Sequence, residues 1–139
     1  MKNSCKLLRR ANLILRKVNM TKVIAIDLDG VIHAYGNGWQ DGSLYDPPMD
    51  GALEAMERLV KAGYKVVIHT ARLNPALSRF KADTIAQRMR DIKAWLDEWG
   101  FRRKVHYHVI TNEKPPAIAY IDDRGIRFTN WEDAVKYFV

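Results

Sequence analysis

Asp27 and Asp29 are the residues whose type and spacing point most directly to chemistry. They follow the apolar run 22–26 and precede Gly30. Along an extended chain, residues i and i+2 lie on the same side, roughly 6–7 Å apart. One carboxylate of such a pair can attack a phosphorus atom as a nucleophile. The other can move the protons of the leaving oxygen and of water, so the pair favours phosphoryl transfer.

A second acidic pair, Asp122 and Asp123, follows another apolar run at 117–121. If it meets Asp27 and Asp29 at one edge of a sheet, the crowded carboxylates repel one another unless a cation lies among them. A site built only from oxygen ligands favours Mg²⁺, which keeps several water molecules and binds phosphate oxygens. The acidic residues therefore predict a Mg²⁺ site.

Thr70 and Lys114 supply complementary polar groups. Thr70 follows the apolar run 65–69, and Lys114 lies directly before Pro115 and Pro116. A hydroxyl and an ammonium can bind phosphoryl oxygens, where negative charge has to be stabilised. Each also has an ordinary interpretation: Thr70 as the cap of a following helix, and Lys114 as a solvated surface lysine.

The elements that must position these residues follow an alternating pattern. Strands that alternate with helices favour an α/β fold, in which a parallel sheet carries helices on both faces. Ligands of such folds bind outside the carboxyl ends of the strands, so the four sites are expected to meet at one edge. Strands are predicted at 22–26, 65–69, 106–111, 117–121 and 126–128, and helices at 51–62, from Asn74 or Asp83 to about Trp99, and after a Thr129 cap.

Four motifs, in order along residues 22–128, resemble those of the haloacid dehalogenase (HAD)-like superfamily in its phosphatase branch. They are Asp-Leu-Asp-Gly-Val (27–31), His-Thr-Ala-Arg (69–72), Lys114 and Tyr-Ile-Asp-Asp-Arg (120–124). The resemblance implies a three-layer Rossmann-like fold and a Mg²⁺-dependent hydrolase. The dehalogenase branch lacks an acid at the position of Asp29, so this residue favours phosphoryl transfer.

The resemblance also implies a role for each motif residue. Asp27 is expected to be the nucleophile and Asp29 the general acid and base, with the backbone carbonyl of Asp29 binding the metal. The implied phosphate-binding residues are Thr70, Ala71 and Lys114, and the implied metal-binding residues are Asp27, Asp29, Asp122 and Asp123.

The loop at 33–48 takes the place in which many relatives of this superfamily carry a cap domain. Only 40 residues separate Asp29 from Thr70, and a helix and a strand occupy most of them, so we expect a short flap and no separate cap. An open site favours a large substrate, such as a nucleic-acid end or a phosphoprotein, or closure by a second subunit in a homo-oligomer. Two interpretations stay open for the flap side chains, stacking on a base or packing of the flap on the core: His33, Tyr35, Trp39 and Tyr45. Arg72 and Arg124 either bind substrate anions or pair with carboxylates.

The predicted function is therefore that of a Mg²⁺-dependent phosphomonoester hydrolase that acts through an aspartyl-phosphate. The chain also resembles, more loosely, small members related to the phosphatase part of polynucleotide kinase and to deoxynucleotidases. That likeness implies a nucleotide or nucleic-acid-end phosphate as substrate. Two alternatives stay open: a non-catalytic phosphate- or nucleic-acid-binding module on the same fold, and a phosphotransferase.

Length and composition limit the number of domains and show where the basic charge lies. Its 139 residues suit one domain, which we place at 21–139. The net charge of +7 comes almost entirely from residues 1–20, which carry six basic and no acidic side chains. This basic extension is expected to be a dispensable upstream segment, an amphipathic helix or a targeting segment.

A single cysteine excludes a disulfide framework within the chain and favours a cytoplasmic protein. No apolar run is long enough to span a bilayer.

Overall fold

A computed structural model describes residues 22–77 and 83–139, and the predicted extension at 1–20 lies outside these residues. The described chain contains a four-stranded parallel sheet and three helices. The strands are β1 (Val23–Asp27), β2 (Lys65–His69), β3 (Val109–Thr111) and β4 (Ala119–Ile121), in the order β3-β2-β1-β4. The helices are α1 (Ala52–Lys61), α2 (Asp83–Glu98) and α3 (Trp131–Val135), and two 3-10 turns lie at Ala71–Leu73 and Pro75–Leu77.

The two central strands are the most apolar segments of the chain. β1 and β2 each bury their three middle residues, as expected for parallel strands covered on both faces. Their side chains pack with α1 and α2 into one core that includes Met56, Ile92, Leu96 and Phe101. The predicted α/β class with a parallel sheet is thus confirmed.

Strand register brings the predicted sites to one edge of the sheet. Asp27 is paired with His69, and His69 is paired in turn with Thr111. On the other side of β1, Ile26 is paired with Ile121. The carboxyl ends of all four strands are therefore level, and the residues that directly follow them share the same edge.

Several predicted elements differ from the structure. Residues 126–128 form no strand, and β3 begins at Val109 because the backbone around His106 turns, with its N–H donating to the carbonyl of Arg102. β4 is shorter than predicted, and its side chains are exposed because it lies at the edge of the described sheet. The last helix is capped by Asn130, not Thr129: the Asn130 side chain accepts the Asp133 N–H at 2.8 Å.

The structure contains, within its described part, no helix that is both long and apolar enough to cross a membrane.

Candidate active site

Three carboxylates gather where β1 and β4 end. Asp27, Asp122 and Asp123 each offer one oxygen, and these oxygens lie within 4.8 Å of one another. Asp27 is partly buried, whereas Asp122 and Asp123 are exposed. Burial and the nearby Asp122 charge raise the pKa of Asp27 to about 7. A cluster of oxygen donors that repel one another in this way suits a hard divalent cation.

Local turns fix the orientation of this acidic cluster. One oxygen of Asp122 accepts the backbone N–H groups of Arg124 at 2.6 Å and Gly125 at 3.0 Å. Asp123 is held from the other side, because its carboxylate lies against the Cα of Gly30. Gly30 has a φ of +80°, which side-chain-bearing residues rarely adopt. A Cβ at this position would also collide with the Asp123 carboxylate.

Replacing Gly30 with alanine is therefore expected to affect both folding and the acidic cluster. The left-handed backbone alone costs about 1–2 kcal/mol with a Cβ, and the collision must also displace Asp123. Gly51→Ala is the matched control, since Gly51 has nearly the same φ of +79° but open space around the added Cβ. Chemical denaturation should show a loss of stability in both variants. Divalent-cation binding should weaken only in Gly30→Ala, and equal binding in the two would contradict this account.

Asp29 points into a separate network of hydrogen bonds. Arg72 donates to both carboxylate oxygens, from Nε at 2.7 Å and from an Nη at 2.9 Å, and Nδ1 of His33 lies 2.8 Å from one of them. Burial alone would raise the pKa of Asp29, but the bonds from His33 and Arg72 outweigh it and hold its pKa below the usual value. Asp29 is therefore held as a carboxylate.

His33 is fixed in one tautomer by its two hydrogen bonds. The backbone N–H of Asp46 donates to its Nε2 at 3.1 Å, so that nitrogen carries no proton. The remaining proton lies on Nδ1, which donates to Asp29. The ring is completely buried and packs edge-on against Tyr45 and Trp95. His33 thus lies inside the flap as a structural donor to Asp29 and not in the pocket lining.

Arg72 connects this carboxylate to the flap. Its side chain is only 2% exposed, and beyond Asp29 it donates to the backbone carbonyl of Gly42 at 2.6 Å. Its own N–H donates to Oγ1 of Thr70 at 3.2 Å, so Thr70 caps the 3-10 turn that carries Arg72. The buried guanidinium of Arg72 therefore holds both Asp29 and the flap in place.

The flap is braced by its own polar groups. The Tyr45 hydroxyl donates to the carbonyl of Gly38 at 2.7 Å and accepts the N–H of Asn37. Asp46 accepts the N–H of Gly36, and its backbone carbonyl accepts the indole N–H of Trp95 at 3.0 Å. These hydrogen bonds give the loop a defined conformation, and the bond to Trp95 connects it to α2.

A cavity of about 430 Å³ lies between the acidic edge and the flap. The side chains that border it come from β1, the flap, the turn after β2 and the turn after β4. They include Asp27, Asp29, Asp122, Arg72, Arg124, Ala71, Tyr35 and Trp39. A second groove, of about 810 Å³, joins Asp27 and Asp122 to Lys114, whose ammonium lies 4.7 Å from the centre of the Tyr120 ring.

The structure thus brings together most residues that the sequence singled out. Asp27, Asp122 and Asp123 form one cluster, and Asp29 lies two residues away along the same strand end. Lys114 shares a groove with Asp27, whereas Thr70 is buried in its capping role. Sequence reasoning did not identify the hydrogen bond from His33 to Asp29 or the dependence of Asp123 on Gly30. The spacing of four between Asp29 and His33 was the only signal for the first.

A scan of the chain against protein-family models gave no match, and a search among curated proteins found no relative. The resemblance to the HAD-like superfamily therefore depends on the four motifs and their order.

Proposed function

We propose that this protein hydrolyses phosphate monoesters with the help of a divalent cation, and that Asp27 is the nucleophile. The observation that carries the proposal is the cluster of Asp27, Asp122 and Asp123 at the carboxyl ends of parallel strands, beside the fixed carboxylate Asp29. A binding site for phosphate alone would not benefit from four carboxylates, which repel an anion. Together with a cation, the same carboxylates bind phosphate and supply a nucleophile.

The fold is proposed to be the three-layer HAD-like form without a separate cap. The four level strand ends agree with the position of ligand sites in open parallel sheets. The flap, braced by Tyr45 and Asp46, occupies the place between Asp29 and α1 where a cap would have to be inserted.

Mg²⁺ is the cation we propose, and the donor set fits it. Carboxylate oxygens of Asp27, Asp122 and Asp123 would hold it, as would the backbone carbonyl of Asp29. When bound, the ion would neutralise the cluster and stabilise the charge that develops on the phosphoryl oxygens. Lys114, in the groove beside Asp27, would bind the same oxygens.

The two halves of the reaction place different demands on Asp29. First, a carboxylate oxygen of Asp27 attacks phosphorus, and the bond to the ester oxygen breaks as that oxygen gains a proton. Then water attacks the phosphorus of the aspartyl-phosphate, Asp29 takes a proton from the water, and the bond to Asp27 breaks to release inorganic phosphate. The ion pair with Arg72 suits Asp29 to the second half. To supply a proton in the first half, Asp29 must first take one up from solvent, and Arg72 must release one of its oxygens for this to happen.

Metal binding has an expected signature that does not depend on activity. Burial and, after it, the charge of Asp122 raise the pKa of Asp27. In a chelator, Asp122→Asn should raise the thermal midpoint by a few degrees, because it removes this repelling charge. Mg²⁺ at a hundredfold its Kd should stabilise the wild type by about 2.7 kcal/mol and the variant by much less. Asp97→Asn, an exposed change on α2, should respond like the wild type. Equal stabilisation of Asp122→Asn and wild type would contradict the proposed site.

The direct test of the function is an assay of phosphate release. Nucleotides, sugar phosphates, glycerol phosphate and terminally phosphorylated oligonucleotides should be compared, each with Mg²⁺ and with chelator. We expect Mg²⁺-dependent release from at least one of these classes. Transfer of the phosphate to an added alcohol would identify a phosphotransferase. No release from any of them, with phosphate or oligonucleotide still bound, would favour the non-catalytic binding module instead.

A further inference from the structure

The cavity beside the acidic cluster is lined by two chemically different kinds of side chain. Asp27 and Asp122 supply carboxylates, while Tyr35, Trp39 and Leu77 supply two aromatic rings and an aliphatic group. A volume of about 430 Å³ falls within the usual range for sites that take a small organic molecule. This volume is larger than a phosphate group requires, so the cavity has room for the rest of a substrate.

Trp39 is the aromatic side chain that the fold buries least around this cavity. The residue is 45% exposed, although exposing an aromatic ring of that size to water is unfavourable. The ring edge lies near Gly42 in the flap. The guanidinium carbons of Arg72 and Arg88 lie 5.1 and 5.5 Å from the ring centre. A half-exposed ring that is fixed in this way offers a flat, preformed surface toward the cavity.

Tyr35 adds a second ring in a backbone conformation that must be imposed by its surroundings. Its φ is +55°, a region that bulky residues rarely adopt and whose occurrences cluster at active sites and ligand-binding sites. The Tyr35 ring lies 5.7 Å from the Arg72 guanidinium and borders the same cavity as Trp39. The flap therefore presents two aromatic rings around one cation, and Arg124 borders the same cavity as a further positive charge.

The geometry points to a nucleotide as the substrate, with its base stacked on Trp39 and its phosphate monoester at Asp27. This inference rests on the proposed function, because it assigns the substrate class of the same site. Flat aromatic side chains beside arginines are the usual surface for bases that are bound without a strict sequence preference. A sugar phosphate would make no use of the two rings. The phosphate can belong to a free mononucleotide or to the end of a nucleic-acid strand.

The test compares Trp39→Ala, Trp39→Phe and the wild type on two kinds of substrate. Glycerol phosphate has no ring, while 5′- and 3′-mononucleotides and short oligonucleotides with a terminal phosphate do. In Trp39→Ala the ratio of kcat/KM for the nucleotide over that for glycerol phosphate should fall about 5- to 150-fold, the range for loss of one stacked base. The loss should appear mainly in KM, and Trp39→Phe should restore most of the ratio. Trp131→Ala, an exposed tryptophan outside this cavity, should leave the ratio unchanged.

The outcomes separate this inference from the proposed function. If Trp39→Ala lowers kcat equally on both kinds of substrate, Trp39 only supports Arg72 and the stacking inference is wrong. If glycerol phosphate is hydrolysed but the ratio is the same in all variants, hydrolysis stands and nucleotide recognition fails. If no substrate is hydrolysed, nucleotide binding still tests the stacking inference, with quenching of tryptophan fluorescence as the readout. Binding to the wild type that Trp39→Ala weakens supports stacking on Trp39. The ratio of kcat/KM to that for glycerol phosphate is also compared between mononucleotides and oligonucleotides. The larger ratio identifies whether the phosphate belongs to a free nucleotide or to the end of a strand.

Discussion

Replacing Asp27 with asparagine is expected to reduce the release of phosphate by at least about a thousandfold, because the amide cannot attack phosphorus. The fold should survive, since an asparagine oxygen can still accept the Leu28 N–H that Asp27 accepts at 2.8 Å. Removing one negative charge from the crowded cluster should also favour the metal-free native state. Activity should be measured at saturating Mg²⁺, with circular dichroism and thermal melting on the same samples.

The matched control for this variant is Asp97→Asn on α2, which makes the same chemical change at an exposed position. Asp97→Asn should keep wild-type activity. If Asp27→Asn retained activity comparable to that of Asp97→Asn, the nucleophile would have to be a different residue. In that case Asp29, already bound by Arg72 and His33, would be a poor substitute.

Replacing Arg72 with alanine is expected to have the second largest effect, on both stability and activity. Asp29 has a side chain that is only 17% exposed, and in this variant it would keep His33 as its donor. Breaking a buried ion pair by removing one partner typically costs about 3–5 kcal/mol. The flap would also lose its anchor at the Gly42 carbonyl. Phosphate release should therefore fall even at temperatures at which the variant remains folded.

Arg72→Lys distinguishes positive charge from geometry at this position. A lysine keeps the charge but cannot donate to both Asp29 oxygens and to Gly42 at the same time. We expect partial recovery of stability and little recovery of activity. Arg90→Ala, an exposed arginine on α2 that donates to Gln87, is the control and should change neither. Full activity in Arg72→Lys would show that the bidentate geometry is unimportant.

The parts of the fold that could be predicted are those with a strong local signal. The β-branched runs form β1 and β2, the two central strands, and their side chains are buried. Because the strands are parallel, their carboxyl ends lie at the same edge of the sheet. Residues 126–128 are Ile, Arg and Phe, two strand-favouring residues around an arginine, and nothing in the sequence indicates that the described sheet ends at β4. Sheet position depends on contacts between distant segments, which an alternation pattern does not contain.

The site shows the same division between local and distant information. Asp27 and Asp29 are adjacent to a strand, so their place at its end was predictable. Pairing with a carboxylate was one of two interpretations of Arg72, and in the structure the partner is Asp29. The role of Asp46, which fixes the His33 tautomer from 13 residues away, depends on the folded path of the flap. No spacing rule predicts such a contact.

The central claim is that Asp27 becomes phosphorylated, and borohydride trapping tests it most directly. The full chain should be mixed with Mg²⁺ and a phosphate monoester that it hydrolyses, quenched during turnover and reduced with borohydride, which converts an aspartyl-phosphate to homoserine. Mass spectrometry of the peptides should then find homoserine at position 27, only when substrate is present. Continued turnover without modification at position 27, or with modification at Asp29 or Asp122 instead, would contradict the account.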